Sequence, residues 1–205
     1  MENSISQTIR ERIKHIKAGE LFTISDFEDV NNDNLVTRTL SRLQNKGIIV
    51  RVATGIYMNP KKTQFGILYP TLDQIAQKIA ERDNAQIMPT GDTALNLLGF
   101  STQVPMNAVY ITNGAKRKVR VGERNIIFKN AVQKNFQFKG KLLPLIIIAL
   151  KELGESRITN EIRNKINSLI SESNEAERST MMNDLYLSPL WIKELLLPII
   201  KTTTK

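Results

Sequence analysis

Arg38, Ser41, Arg42 and Asn45 lie in a segment whose apolar residues, Val36, Leu40 and Leu43, recur at helical spacing. At about 100° per residue the two sets fall on opposite faces of one helix. Long forked donors mixed with short polar groups suit the major groove of double-stranded DNA. Arg can hold guanine O6 and N7 bidentately, and Asn can hold adenine in the same manner. Thr37 and Lys46 flank this face and suit phosphates. The competing reading is an ordinary solvated helix face. Arg51 and Thr54 follow in a predicted β-hairpin, where a wing would touch phosphate or the minor groove; Tyr57 in the same hairpin reads as a packed aromatic.

A second concentration of charge runs from Lys116 to Lys139, where eight basic residues face only Glu123. Lys116, Arg117, Lys118, Arg120 and Arg124 fall on another predicted hairpin. Three roles fit such a ribbon: gripping phosphates with a steep salt dependence, meeting an acidic protein surface, or guarding a strand edge against aggregation.

Signals for catalysis are sparse. His15, the single histidine, stands off the apolar stripe of its helix. Gly91-Asp92-Thr93 lacks the remainder of a phosphate-binding loop. Asp26-x-Glu28 has the spacing of a carboxylate pair that holds Mg²⁺ in nucleotidyl transfer. It falls at a predicted helix start, where acids also favour the helix dipole, and no Gly-Ser motif precedes it. No catalytic residue, metal site or cofactor is expected.

The elements that must position these residues can be read along the chain. Ile5, Ile9, Ile13 and Ile16 predict a helix over 4–17, with Ser4 and Gln7 at capping-box spacing. Ser25 and Glu28 predict a second box and a short helix near 25–30. The Asn31–Asn34 turn supplies a cap for a helix over 35–46 that stops at Gly47. Strands follow over 48–52 and 56–58 around Thr54-Gly55. Three helices and a hairpin in this order predict a winged helix-turn-helix over residues 1–62. Residues 61–70, with two lysines, a glycine and two prolines nearby, read as a linker. Thr71 and Gln74 predict a capped helix, and a short helix over 91–98 precedes strands over 108–112, 118–121 and 125–129. Helices are predicted over 142–153, 158–170, 174–186 and 189–200, the last opened by Ser188-Pro189. Trp191, Leu195 and Leu196 in that helix either close the core or dock a partner.

The expected fold is therefore α+β: an N-terminal winged helix-turn-helix, then a mixed α/β domain over 63–205, strand-containing to about 140 and helical after it. The 205 residues carry 29 Lys+Arg, 20 Asp+Glu and no Cys, for a net charge of +9. Absent cysteine excludes disulfides, thiol catalysis and Cys-based zinc sites. The charge favours an anionic partner, and residues 141–205 are almost neutral. Met1 to Lys17 does not read as a signal segment, and the longest apolar run, Leu142–Leu150, is too short for a bilayer. A cytoplasmic protein with no membrane partner is expected.

Two ordered motifs carry a family resemblance. Arg51-x-x-x-Gly55-Ile56-Tyr57-x-x-Pro60, closing the helix-turn-helix, and Gly91-Asp92-Thr93-Ala94-Leu95-Asn96-Leu97-Leu98-Gly99-Phe100-Ser101-Thr102-Gln103-Val104-Pro105 resemble the AbiEi-type antitoxins of type IV toxin–antitoxin systems, which act in abortive infection, a phage defence. The strand Val109-Tyr110-Ile111-Thr112 and the basic hairpin after it fit the same pattern, so the likeness spans roughly 4–140. The resemblance implies an antitoxin that binds operator DNA, represses its own operon and counteracts a cognate nucleotidyltransferase toxin without needing a stable complex with it. It places DNA contacts on Arg38, Ser41, Arg42, Asn45 and Arg51, and either DNA contact or neutralisation on Lys116, Arg117, Lys118 and Arg120. The alternatives are a stand-alone winged-helix regulator and a nucleotide-transferring enzyme using Asp26 and Glu28.

Overall fold

The structure, a computed structural model, describes residues 2–203. It is a mixed α+β fold with a helical C-terminal part, divided into two units. The first comprises the chain up to Gln86 together with Lys118–Ile126.

Its elements are α1 (Glu2–His15), β1 (Leu21–Thr23), a 3-10 helix (Ser25–Val30), α2 (Asp33–Asn45), β2 (Val50–Ala53), β3 (Ile56–Met58), β4 (Lys61–Thr63), β5 (Gly66–Leu68) and α3 (Leu72–Arg82). β1, β3 and β2 form an antiparallel sheet in that order. The predicted Ile stripe is the inner face of α1: Ile9 and Ile13 are buried, and Ile5 and Ile16 pack beside them. Val36, Leu40 and Leu43 of α2 meet them in one core with Phe22, Phe27 and Tyr57. Phe22 stacks on Tyr57 at 5.9 Å and meets Phe27 edge-on at 6.1 Å, geometries that favour aromatic pairs beyond their buried area. Between α1 and α2, the buried Ser6 and Thr39 hydroxyls bond each other at 3.3 Å.

Several local predictions change. α1 opens at Glu2, ahead of the Ser4–Gln7 pair, and the Ser4 side chain lies outside the described residues. Ser25 does not cap the 3-10 helix. Asp26 takes over there, accepting from the Thr23 N–H at 2.6 Å and the Thr23 hydroxyl at 2.9 Å. Its second oxygen meets Lys78 of α3 at 3.2 Å. α3, which carries the full Thr71–Gln74 capping box, packs on β1 and β3, so it belongs to the first unit. Residues 61–68, whose composition reads as a linker, form the β4–β5 hairpin. The Thr63 hydroxyl ties its turn together, and Gly66 supplies the φ of +109° that closes it.

The second unit holds β6 (Ile87–Pro89), α4 (Asp92–Leu97), β7 (Asn107–Thr112) and four helices: α5 (Leu142–Leu153), α6 (Asn160–Ser171), α7 (Glu175–Leu185) and α8 (Leu190–Thr203). Of the remaining strands, β8 (Arg117–Val121) starts in it at Arg117 and β9 (Arg124–Asn130) finishes in it from Ile127 onward, the stretch between belonging to the first unit. The strands order as β6-β7-β9-β8. β6, which the sequence pattern does not predict, is an edge strand, where Pro89 can be tolerated. α5 is the hub: Leu143, Ile146, Ile147 and Leu150 are fully buried among residues of α4, α6, α7 and α8. Leu196 lies in this core and Trp191 and Leu195 pack against it, which favours the core role for that trio. Ser188 does not cap α8; its hydroxyl donates back to the Leu185 carbonyl at 2.7 Å.

No side chain of its own segment caps α5. Two carboxylates of α7 take the amides of the segment that enters it, and Glu177 reaches its first N–H, that of Leu142. Asp184, 1% exposed, accepts from the Lys139 and Gly140 N–H groups, both at 2.8 Å. Glu177 accepts from Lys141 and Leu142 at 3.0 and 3.1 Å. A side chain at Gly140 would bring its Cβ within 2.6 Å of the Thr180 Oγ1 and 2.9 Å of Glu177 Oε2. Among the described residues no helix is long and apolar enough to cross a membrane.

Gly140→Ala should therefore destabilise the protein by about 1–3 kcal/mol, as overpacking does; a denaturant melt of the full chain checks it. A second test concerns the fork from Arg12 of α1 to the Asp29 carboxylate. That hydrogen bond holds the Asp29 carboxyl below its ordinary value. A depressed folded-state pKa stabilises the fold above the unfolded pKa of about 3.9, and the benefit is lost as pH falls through the folded value. The stability difference between wild type and Asp29→Asn should be constant above about pH 5 and shrink in more acidic solution. Melting temperatures across that range measure it.

Candidate nucleic-acid interface

α2 begins where the Asn32 side chain accepts from the Leu35 N–H at 3.0 Å, and ends before Gly47 at φ +67°. Leu35, Val36, Thr39, Leu40 and Leu43 are buried on one side. Thr37, Arg38, Ser41, Arg42, Asn45 and Lys46 are all exposed. The helix thus separates its residues as the spacing predicts. Among the described residues no hydrogen bond or ion pair engages the Arg38 or Arg42 guanidinium. Both forks are free for an outside acceptor, and the short Ser41 between them lets a surface come close.

The β2–β3 hairpin exposes Arg51 and Thr54 while burying Val52, Ala53 and every residue of β3. The register shifts between Arg51 and Ala53, an irregularity of the kind that turns a strand residue outward. Arg51 Nε donates to the Ala53 carbonyl at 3.4 Å, which keeps the side chain near the tip. Gly55 makes the turn at φ +72°. Arg82, at the end of α3, reaches this tip: its Nη1 donates to the Thr54 carbonyl at 3.4 Å, and its Nε to Asp83 at 2.9 Å. Sequence reasoning misses Arg82. Its place in the last turn of a helix gives no sign that it would brace a hairpin twenty-eight residues away.

The second basic hairpin is divided by the strand pleat. Lys118 and Arg120 are exposed and share a shallow depression with Glu123 and Asn125. Arg120 donates to the Gly122 carbonyl at 3.0 Å and pairs with Glu123 at 3.5 Å. Arg117 alternates to the other face with half-buried Val119 and lies 5.5 Å from the centre of the Phe128 ring, a cation–π contact. Arg124 is half-buried and alternates in phase with the buried Ile126 and Phe128, as residues two apart on a strand do. Lys116 is exposed in the irregular segment just before β8. The five basic residues therefore do not form one surface: Lys118 and Arg120 do, and Arg117 and Arg124 lie on the side of the core.

The residues considered for catalysis have other occupations. The Asp26 carboxylate is taken up by Thr23 and Lys78. Thr93 is buried, its hydroxyl accepting from the Val109 N–H at 2.8 Å. His15 Nδ1 lies 2.7 Å from the Glu11 carbonyl oxygen on its own helix. Among the described residues no group of three or more His, Asp or Glu is placed to hold a metal ion.

A family of unknown function, DUF6088, matches residues 8–178, and the chain belongs to it. No curated protein matches the chain.

The divided hairpin makes a direct prediction about stability. Arg117→Ala, which strips a cation and its stem from Phe128, should lower the unfolding free energy by about 0.5–2 kcal/mol. Lys118→Ala and Arg120→Ala should stay within about 0.5 kcal/mol of wild type, as exposed positions do. Denaturant melts of the three variants check this, and equal losses at all three positions would contradict the division.

Proposed function

We propose that this DUF6088 member is a double-stranded DNA-binding protein that represses its own operon and serves as the antitoxin to a nucleotidyltransferase toxin encoded beside it. In this reading the first unit works as a winged helix-turn-helix, with α2 as recognition helix and the β2–β3 hairpin as wing. The element order and the β1-β3-β2 sheet support it. The observation that carries it is the outer face of α2, where two unpartnered guanidinium groups, Ser41 and Asn45 stand opposite five buried residues.

The roles follow from the chemistry. Arg38 and Arg42 have the reach and fork for guanine, and Asn45 has the paired donor and acceptor for adenine. Thr37 and Lys46 at the flanks, and Arg51 and Thr54 on the wing, hold phosphates and so set the register in which bases are read. Lys118 and Arg120 add charge that extends the DNA contact or serves neutralisation. No cofactor enters. The antitoxin part rests on the likeness of the segments Arg51–Pro60 and Gly91–Pro105 to AbiEi-type antitoxins. An autorepressor of this kind works in the cytoplasm, beside its DNA, and requires no membrane partner.

Arg38→Ala with Arg42→Ala should abolish preference for the promoter upstream of the gene, at about 1–3 kcal/mol for each bidentate arginine–base pairing removed. Gel retardation of promoter against unrelated duplex measures it. A double mutant that still selects the promoter would overturn the assignment of α2. The antitoxin part is tested by co-expression with the neighbouring reading frame: growth rescue from a toxic nucleotidyltransferase supports it, and a harmless neighbour leaves a stand-alone regulator.

A further inference from the structure

The β4–β5 hairpin contributes no buried residue to the core of its unit, and its Lys61 stem lies beside Gly19 at its base. Every residue from Lys61 to Tyr69 is exposed, and β4 and β5 pair only with each other. A lone two-stranded hairpin is marginal in water. This one is held by local bonds at its turn: the Thr63 hydroxyl donates to the Gly66 carbonyl at 2.9 Å and accepts from the Phe65 N–H at 3.2 Å. The effect is to hold Phe65, 92% exposed, at the apex.

Charge points to what this apex meets. From Asn34 to Leu72 the chain has six basic residues and no acidic one. Four of the six are Arg38 and Arg42 of α2, Lys46 just after it and Arg51 of the β2–β3 hairpin; the other two are Lys61 and Lys62. Among the described residues neither lysine ammonium has an ion pair. Lys61 faces Leu68 across the ladder and Lys62 faces Ile67, so each side of the ribbon pairs a cation with an apolar group. A strand that docks on a protein gathers its apolar residues on one side; this ribbon does not. Cations along its length and an aromatic ring at its tip match the chemistry of arms that grip phosphates and press an apolar wedge between base steps.

We propose that the β4–β5 hairpin is a second DNA-contacting arm, with Lys61 and Lys62 on phosphates and Phe65 as a wedge that bends the duplex. The proposal rests on the DNA-binding reading of α2 and extends it to an element that the winged helix does not include.

The test uses the full chain and a duplex of the promoter upstream of the gene, end-labelled for energy transfer. Lys61→Ala with Lys62→Ala should flatten the slope of log K against log salt by about 1 to 2. Phe65→Ala should weaken binding about tenfold and abolish the end-to-end shortening of the bound duplex. All three residues are exposed, so circular dichroism and melting temperature should match wild type. If both variants keep the wild-type slope, affinity and bend while Arg38→Ala with Arg42→Ala still loses the promoter, the arm is overturned and the α2 reading stands. If wild type fails to bind the promoter at any salt, both fall. If Phe65→Ala instead converts a dimer to monomers without changing the bend, the hairpin meets a second copy and the proposal is overturned.

Discussion

Burial of one side of α2 is the constraint on which the first unit turns. Val36, Leu40 and Leu43 fill the space between α1 and the sheet, and Phe22, Phe27 and Tyr57 close round them. Apolar burial of this kind stabilises by roughly 1.5–3 kcal/mol per large side chain. It also fixes rotation about the helix axis. Once those residues point inward, Arg38, Ser41, Arg42 and Asn45 have nowhere to go but outward. The outer face takes no part in the core, so its chemistry can be set by a ligand while packing sets its orientation.

The same unit is fastened by charged and polar side chains at its seams. Asp26 links β1, the 3-10 helix and α3 through Thr23 and Lys78. Arg12 forks onto Asp29 to hold the 3-10 helix to α1. Arg82 braces the tip of the β2–β3 hairpin. An exposed ion pair alone contributes little; here each one joins two elements that are separate in sequence. The two carboxylates that share a metal-pair spacing thus differ in kind. Asp26 is a fastening, and Glu28 is an exposed residue of the 3-10 helix.

Long periodic elements are legible in the sequence. The predicted helix 142–153 coincides with α5; α2, α6 and α7 lie within two residues of their expected limits, and α3 starts directly after the expected Thr71 cap. Amphipathic spacing determines such helices because many residues specify the same face. The strands Leu21–Thr23 and Ile87–Pro89 are invisible, since three residues contain no period and exist only through the partner strand. The hairpin at 61–68 is hidden for another reason. Its lysines, glycine and flanking prolines spell a loop, and its turn is closed by one threonine hydroxyl beyond the backbone ladder. At the candidate site, the α2 face is fully readable from spacing. The second basic hairpin is not: adjacent residues in a strand point opposite ways, so a run of cations in sequence is two half-runs in space. Arg82 can be found only from the fold.

The capping of α5 has a consequence for how the helical unit comes apart. Several other helices carry an N-cap immediately before their start, as Asn32, Thr71, Thr159 and Asn174 show. α5 borrows its caps from α7, thirty-five to forty-five residues further on. Residues 139–142, which lead into its first turn, therefore cannot open alone, because doing so strands two acids, one of them buried, without partners. The amides of residues 139–142 should exchange with solvent only when α7 leaves, so hydrogen exchange at a helix terminus, normally the fastest in a helix, would here follow the cooperative opening of the whole bundle.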